Sequence, residues 1–349
     1  MTRPLAIAFL GVEHYHSNFW AKAFAQSPGV SIAGVYDPNP AVAEAFARTH
    51  GVAVAADAAA LAGGADAVAI CGATADHPQM VAIAAAAGRP ILCEKPIGAT
   101  WADTRAIRDT LARTGVPFMQ SFPKRFDPIN AELREVLQSG RLGTLTLARV
   151  RHGHSHGLSE DFKKGWYADP ARSGGGTLLD EGVHAADFIR FAFGDPSSVT
   201  ATISSATLGL PLEDTAVATF AFAGGPLVEV ATGWCFAGAD NSIEIYGTRG
   251  SLVLSGVDLA SRDTCERDFL RVYLRETPEA GWAASPTTPH FKTGIFHEHV
   301  AFAFVKALQE GGSMPVTMDD GIRAFAMIAA AYEAARTGVR QTIDYTGDR

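Results

Sequence analysis

The chain has 349 residues, of which 47% are hydrophobic and 19% charged, and its formal net charge is −8. That length argues for two domains, since one core rarely grows past about 250–300 residues. The acidic balance, with no basic cluster interleaved with aromatics, speaks against nucleic acid, and no stretch of 18 apolar residues lacks charge or glycine, which speaks against a transmembrane helix.

Residues 1–120 alternate between short apolar strands and alanine-rich helices. Leu5–Leu10 is a predicted strand, Ser17–Gln26 a helix, Val30–Tyr36 a strand ending at Asp37, and Pro40–Thr49 a helix. Ala67–Cys71, Pro90–Cys93 and Phe118–Ser121 are further strands, with helices at Pro78–Ala87 and Trp101–Thr114 between them. Strands alternating with helices of about ten residues predict βαβ units and a doubly wound parallel sheet.

The texture changes after about residue 125. One amphipathic helix, Asn130–Gln138, leads into alternating runs at Thr144–His152, Ser198–Ser205, Ala216–Phe222, Leu227–Trp234, Asn241–Tyr246 and Ser251–Leu254. Threonine, valine and aromatics dominate them, as in an antiparallel sheet. Helices are predicted at Thr177–Phe193, Phe296–Gly311 and Asp319–Gly338, and a loop around Ser285–Pro289. The fold class is therefore α/β, a Rossmann-type domain over residues 1–124 followed by an α+β domain over 125–349. The cysteines, Cys71, Cys93, Cys235 and Cys265, form no CxxC pair. Free thiols and a first apolar run too short for a signal peptide predict a cytoplasmic protein.

A strand, a glycine turn and a helix form a dinucleotide phosphate site, because the helix start offers free amides and a positive dipole end. Here the turn reads Gly11-Val12-Glu13-His14-Tyr15-His16. Only the first glycine of Gly-x-Gly-x-x-Gly is present, and Glu13 puts a carboxylate where phosphate should approach. Gly11, Val12, Glu13 and His14 are candidate cofactor contacts, while His14 and His16 could instead touch substrate or cap the helix. Asp37, 26 positions after Gly11 at the end of the second strand, can bind both adenosine ribose hydroxyls and would repel a 2′-phosphate, which favours NAD over NADP. An Asp before Pro38 could equally be a turn residue.

Lys95 follows the strand Pro90–Cys93 in Glu94-Lys95-Pro96, on the ligand-binding edge of such a sheet. A partly desolvated lysine there can hold a substrate hydroxyl, or it can simply pair with Glu94. Further on, Gly174-Gly175-Gly176 lets the backbone approach something closely before a helix carrying Asp180 and His184, four residues apart on one face. Such a pair suits general acid–base work, or is a surface ion pair.

Glu-Lys-Pro after a strand, followed about 80 residues later by Gly-Gly-Gly-x-x-x-Asp-x-Gly-x-His, resembles the Gfo/Idh/MocA family. Asp66–Ile70 with His77, Lys124-Arg125-Phe126-Asp127-Pro128, Ser139–Gly143 and Ile245–Leu252 fit the family in the same order, so the resemblance spans nearly the whole chain. It implies a Rossmann domain, a large open antiparallel sheet through which subunits pair as a homodimer or homotetramer, and a catalytic trio of Lys95, Asp180 and His184. By the same resemblance Ala73, Thr74, His77 and Glu94 join the cofactor contacts. Glu13 and His16, in place of two glycines, depart from the family pattern.

The implied function is NAD-dependent oxidation of a secondary alcohol, or the reverse, on a sugar, cyclitol or related polyol. His184 takes the hydroxyl proton, Asp180 supports it and Lys95 polarises the hydroxyl, a scheme with no need of a metal. His152, His154 and His156 alternate along a strand or its continuation and are expected on one face, where they line substrate or simply form a polar sheet face, more readily than they hold a metal. Trp166 and Arg172, with Tyr167, suit a sugar ring or a carboxylate, or form a lid. His297 and His299 are expected to be structural or rim residues. The alternatives are a glycoside-cleaving or lyase enzyme using NAD in transient oxidation, which net cofactor turnover would separate, and a non-catalytic sensor, against which the intact trio argues.

Overall fold

The computed structural model describes residues 3–238, 240–255, 268–290 and 296–347, so Cys265 lies outside the described residues. The chain forms two compact units. The first comprises Met1–Pro123, Ala171–Gly174 and His297–Ile322, and the second comprises Lys124–Pro170, Gly175–Phe296 and Arg323–Arg349. The division therefore differs from a single cut after residue 124. Two later segments return to the first unit.

In the first unit, β1 (Leu5–Leu10), β2 (Val30–Tyr36), β3 (Ala67–Ile70), β4 (Ile91–Cys93) and β5 (Phe118–Gln120) form a parallel sheet in the order β2-β1-β3-β4-β5. Ile7 to Leu10 of β1 and all of β3 are fully buried, as befits strands covered on both faces. The chain reverses direction across the sheet between β1 and β3, and ligands bind beyond strand C-termini at such a point. Local chemistry sets the crossovers. Helix Pro40–His50 starts on an Asn39 cap and stops at Gly51, in the left-handed region, and helix Trp101–Thr114 opens with a reciprocal Thr100–Asp103 capping box. A helix at Ala58–Gly64, capped by Asp57, escaped the sequence reading because its Ala-Gly run has no apolar periodicity.

The helix Glu298–Glu310 explains one returning segment. It packs on the helix His16–Gln26, where Lys22 Nζ meets Glu298 Oε1 at 2.7 Å and Gln309 donates to the Pro28 carbonyl.

The second unit is built on a nine-stranded sheet. Its strands are β6 (Leu145–Gly153), β7 (Ser198–Ser204), β8 (Thr215–Ala221), β9 (Leu227–Gly233), β10 (Ile243–Gly247), β11 (Gly250–Leu254), β12 (Leu270–Leu274), β13 (Trp282–Ala284) and β14 (Gln341–Thr342), in the order β13-β12-β11-β10-β6-β9-β8-β7-β14. Neighbours are antiparallel except β6 and β9, which run parallel with Leu147 opposite Leu227. Ala148, Val150 and His152 of β6 face inward beside Val228, Val230 and Thr232 of β9, and the helix Gly182–Phe193 packs against both strands. The outer face keeps Leu147, Val217 and Leu227 exposed. β12, β13 and β14 were not expected, since two to five residues carry too little alternation to read.

Candidate active site

Gly11 ends β1 with φ +81°, and a Cβ there would stand 2.9 Å from the Gly72 Cα, so two backbones meet where the phosphate turn begins. Asp37 reaches this turn. It is buried, and its two oxygens accept from the amides of Val12 and Asn39, each at 2.8 Å. Burial, the main influence, raises its pKa from the usual carboxylate value. Asp37 therefore braces the turn itself, and the close neighbour of Gly11 is the Gly72 backbone.

Glu13, the residue at odds with phosphate, is not alone. Arg172 of the same unit forks onto it, with Nη1 to Oε1 at 3.0 Å and Nη2 to Oε2 at 2.6 Å, and approaches Asp76 Oδ2 at 3.4 Å. Arg172 was expected beside substrate. Its segment instead belongs to the nucleotide unit, and its charge is engaged at the phosphate turn.

Glu94 and Lys95 follow β4 and are both buried. Gln120 donates to the carbonyls of Cys93 and Glu94, and the His77 ring nitrogen Nδ1 lies 3.0 Å from the Pro96 carbonyl. These three bonds fix the turn that presents Lys95, where the Lys95–Pro96 peptide is cis. Burial raises the Glu94 pKa and lowers those of His77 and His14; His14 is also depressed by neighbouring His16 and Lys95. Ala73 and Thr74 lie buried in the turn after β3.

Four histidines gather in the first unit. His16 Nδ1 lies 3.3 Å from Glu94 Oε1, and the His16 ring lies 3.6 Å from that of His297 and 4.2 Å from that of His14. His77 acts on His14 electrostatically. His297 is thus part of this cluster. His299 packs against Phe302. His14, His16 and Glu94 offer ligand atoms within 4.8 Å of one another. However, His14 Nδ1 accepts the His16 amide at 3.2 Å, so the proton of a neutral His14 sits on Nε2 and blocks ligation there.

In the second unit the expected helix Thr177–Phe193 is two helices, Thr177–Asp180 and Gly182–Phe193, meeting at Glu181. The turn tightens through a bond from the His184 amide to the Glu181 carbonyl, and Gly182 is a poor helix former. Asp180 Oδ2 accepts from the indole of fully buried Trp234 at 2.9 Å. The three glycines approach protein neighbours: added Cβ atoms would collide with Ala99 at Gly174, the Tyr332 hydroxyl at Gly175 and Glu213 at Gly176. Glu213 also accepts from the amides of Gly176 and Leu178 and from Tyr332, capping the first short helix.

His152 and His154 converge on buried Glu181, Nε2 to carboxylate oxygen at 3.1 and 3.3 Å. His156 does not join them. β6 ends at Gly153, the chain turns, and the exposed His156 sets its ring 4.7 Å from that of His154 and donates its amide to His154 Nδ1 at 3.1 Å. That bond puts the His154 proton on Nε2, directed at Glu181. His154, Asp180 and Glu181 also offer ligand atoms within 4.8 Å, but the same tautomer argument occupies His154. The histidines hold Glu181 well below the usual carboxylate range despite burial, and burial takes His152 down to about 4.

Lys124 was not singled out in the sequence. It is buried, with Asp127 and Glu181 acting on it electrostatically, and desolvation lowers its pKa to about 8. Trp166, buried, begins an aromatic chain through Tyr167 and Phe162 to Trp234. Trp234, Glu181 and Glu213 were not read as site residues in the sequence, since nothing in their spacing marks their partners.

Residues 5–122 match the oxidoreductase family with an NAD-binding Rossmann fold, and residues 130–253 match the GFO/IDH/MocA C-terminal domain. The chain is 28% identical over 320 residues to the inositol 2-dehydrogenase of Rhizobium meliloti (strain 1021), covering 89% of this chain and 91% of that protein. It is 28% identical over 270 residues to the 1,5-anhydro-D-fructose reductase of Ensifer adhaerens, covering 77% of each. A levoglucosan dehydrogenase crystallised with NADH and levoglucosan superposes with a TM-score of 0.84 at 22% identity, covering 98% of this chain and 100% of that one. The chain belongs to the Gfo/Idh/MocA family of NAD-binding oxidoreductases.

Proposed function

We propose that the protein oxidises or reduces a secondary alcohol or ketone of a sugar, cyclitol or related polyol, with Lys95, Asp180 and His184 as its proton-handling groups. The observation that carries this reading is the held geometry of two of these groups: Lys95 buried on a turn braced by Gln120 and His77, and Asp180 anchored by Trp234. Support for the substrate class comes from relatives named as polyol and sugar-derivative enzymes.

Gly11, Val12, Glu13 and His14 at the first turn, with Asp37, Ala73, Thr74, His77 and Glu94, would hold NAD, Asp37 favouring it over NADP. Bound there, NAD supplies the hydride acceptor or donor at nicotinamide C4. Lys95 hydrogen-bonds the substrate hydroxyl and favours its alkoxide character, while His184 takes the proton and Asp180 keeps its ring oriented. His152 and His154, with Trp166 nearby in sequence, line the substrate side. No step calls for a metal, and the tautomers of His14 and His154 support that.

The exposed Leu147, Val217 and Leu227 on the outer face of the nine-stranded sheet support a homodimer or homotetramer formed through that face. Sedimentation of the wild type and Leu227→Lys tests this, a monomeric wild type refuting it. The activity is tested by NADH formation with myo-inositol and a panel of sugars. No net NADH with any of them, alongside tight NAD binding, would favour the glycoside-cleaving alternative.

A further inference from the structure

Glu13 occupies the place where a dinucleotide turn ordinarily has its second glycine, just before the helix His16–Gln26. An isolated carboxylate there would repel a pyrophosphate and cancel part of the helix-start attraction. Asp76 adds a second carboxylate close by. The first unit answers both with one guanidinium. Arg172 meets both oxygens of Glu13 and approaches Asp76, at distances of 3.0, 2.6 and 3.4 Å. Two residues on, Gly174 has φ +83° and its backbone lies so close to Ala99 that a Cβ would collide. The segment Ala171–Gly174 is therefore tied to the nucleotide unit by charge at one end and by close packing at the other.

We propose that Arg172 is a cofactor-positioning residue, whose fork neutralises the Glu13 carboxylate and holds it so that the first turn accepts the pyrophosphate of the dinucleotide. Glu13 and Arg172 then act as one unit replacing the missing glycine, and the carboxylate is harmful without the guanidinium. The pairing is bidentate, which fixes the direction of the carboxylate as well as its charge. With a neutral residue at position 13 the arginine answers only Asp76, at the longer 3.4 Å, and becomes largely dispensable. The inference rests on the phosphate site lying at the first turn.

The test is a double-mutant cycle on the full chain, read by binding and not turnover. Titrate NADH by fluorescence and ADP-ribose by calorimetry into wild type, Arg172→Ala, Glu13→Gln and the double variant, at low salt. Arg172→Ala weakens both ligands by about tenfold or more, and Glu13→Gln in that background returns affinity to within about threefold of wild type. A merely structural arginine would give no rescue. Arg172→Lys, which keeps the charge but loses the fork, falls between, and serves the same comparison where the alanine variant does not fold. Unchanged affinity in Arg172→Ala, or a double variant as weak as Arg172→Ala, overturns the proposal. A wild type that binds neither ligand overturns the phosphate placement as well, which is a separate and recognisable result.

Discussion

The Trp234 indole donates to Asp180 Oδ2 at 2.9 Å, and the ring that does so is fully buried. One oxygen of the carboxylate assigned to orient His184 is therefore pinned by a side chain that cannot move without opening the core. Trp234→Phe keeps most of the packing and removes the donor. The expected result is a fall in kcat of about tenfold, with NADH affinity unchanged, consistent with losing about one charge-assisted hydrogen bond. Equal kcat in the variant would mean that Asp180 is oriented by other groups.

Lys95→Ala and His184→Ala should each lower kcat by about 10²-fold or more with NADH binding nearly kept, the scale of losing a positioned acid–base group. Stopped-flow single turnovers alongside NADH titrations separate the two effects. A variant that turns over at the wild-type rate removes its residue from the mechanism.

Asp37 is buried and already takes amide bonds from Val12 and Asn39, so it cannot easily move away from an added 2′-phosphate. NAD should bind at least about tenfold more tightly than NADP, equivalent to about 1.4 kcal/mol. Calorimetry with both dinucleotides decides it, and NADP binding as tight as NAD refutes it. Asp37→Asn should narrow the gap while loosening the turn.

Lys124 ionises at about 8 in the fold, below its ordinary 10.5. A cation whose folded pKa is depressed costs stability below the folded value, and the cost fades as pH rises from about 8 to 10.5, where the unfolded chain holds more protons than the folded one. Lys124→Met should therefore raise Tm at pH 7, with the gain shrinking towards pH 10. A gain independent of pH would show that packing and not charge is responsible.

Glu181 accepts from two imidazoles, and His154 has its Nδ1 committed to the His156 amide. Glu181→Gln offers only one acceptor and one donor group. His154 must keep the oxygen, so His152 is expected to switch its proton from Nε2 to Nδ1. Nitrogen-15 spectra of histidine-labelled protein would display the switch. The same preparation, made without a His-tag, should contain transition metal well below one ion per chain. A stoichiometric metal lost in His154→Ala would contradict the tautomer assignment.

Much of the nucleotide unit is legible because its signals are local: β-branched runs, Asn39 and Thr100 caps, and terminal glycines lie within a few residues of what they control. Lys95, Asp180 and His184 are legible through spacing and family resemblance. What the sequence hides is convergence. Arg172 lies 159 positions from Glu13 and Trp234 lies 54 from Asp180, and no periodicity links such pairs. The histidine triplet misleads for a related reason. Alternation places side chains only while the strand lasts, and β6 stops at Gly153, before the second histidine. The glycine triplet reads correctly as close approach, but its neighbours are Ala99, Tyr332 and Glu213.

The two rims of the wide sheet have a bearing on how the protein behaves when concentrated. A long bare strand at either end would invite another molecule to add on, and that copy another, without limit. Here one rim is the three-residue β13 and the other the two-residue β14. β13 lies along Arg271–Tyr273 of β12, whereas β14 covers only Ser198 and Val199 of the seven-residue β7. β13 therefore limits strand addition at one margin, while at the other Thr200–Ser204 of β7 pair only with β8 among the described strands and form the stretch along which a neighbour could add.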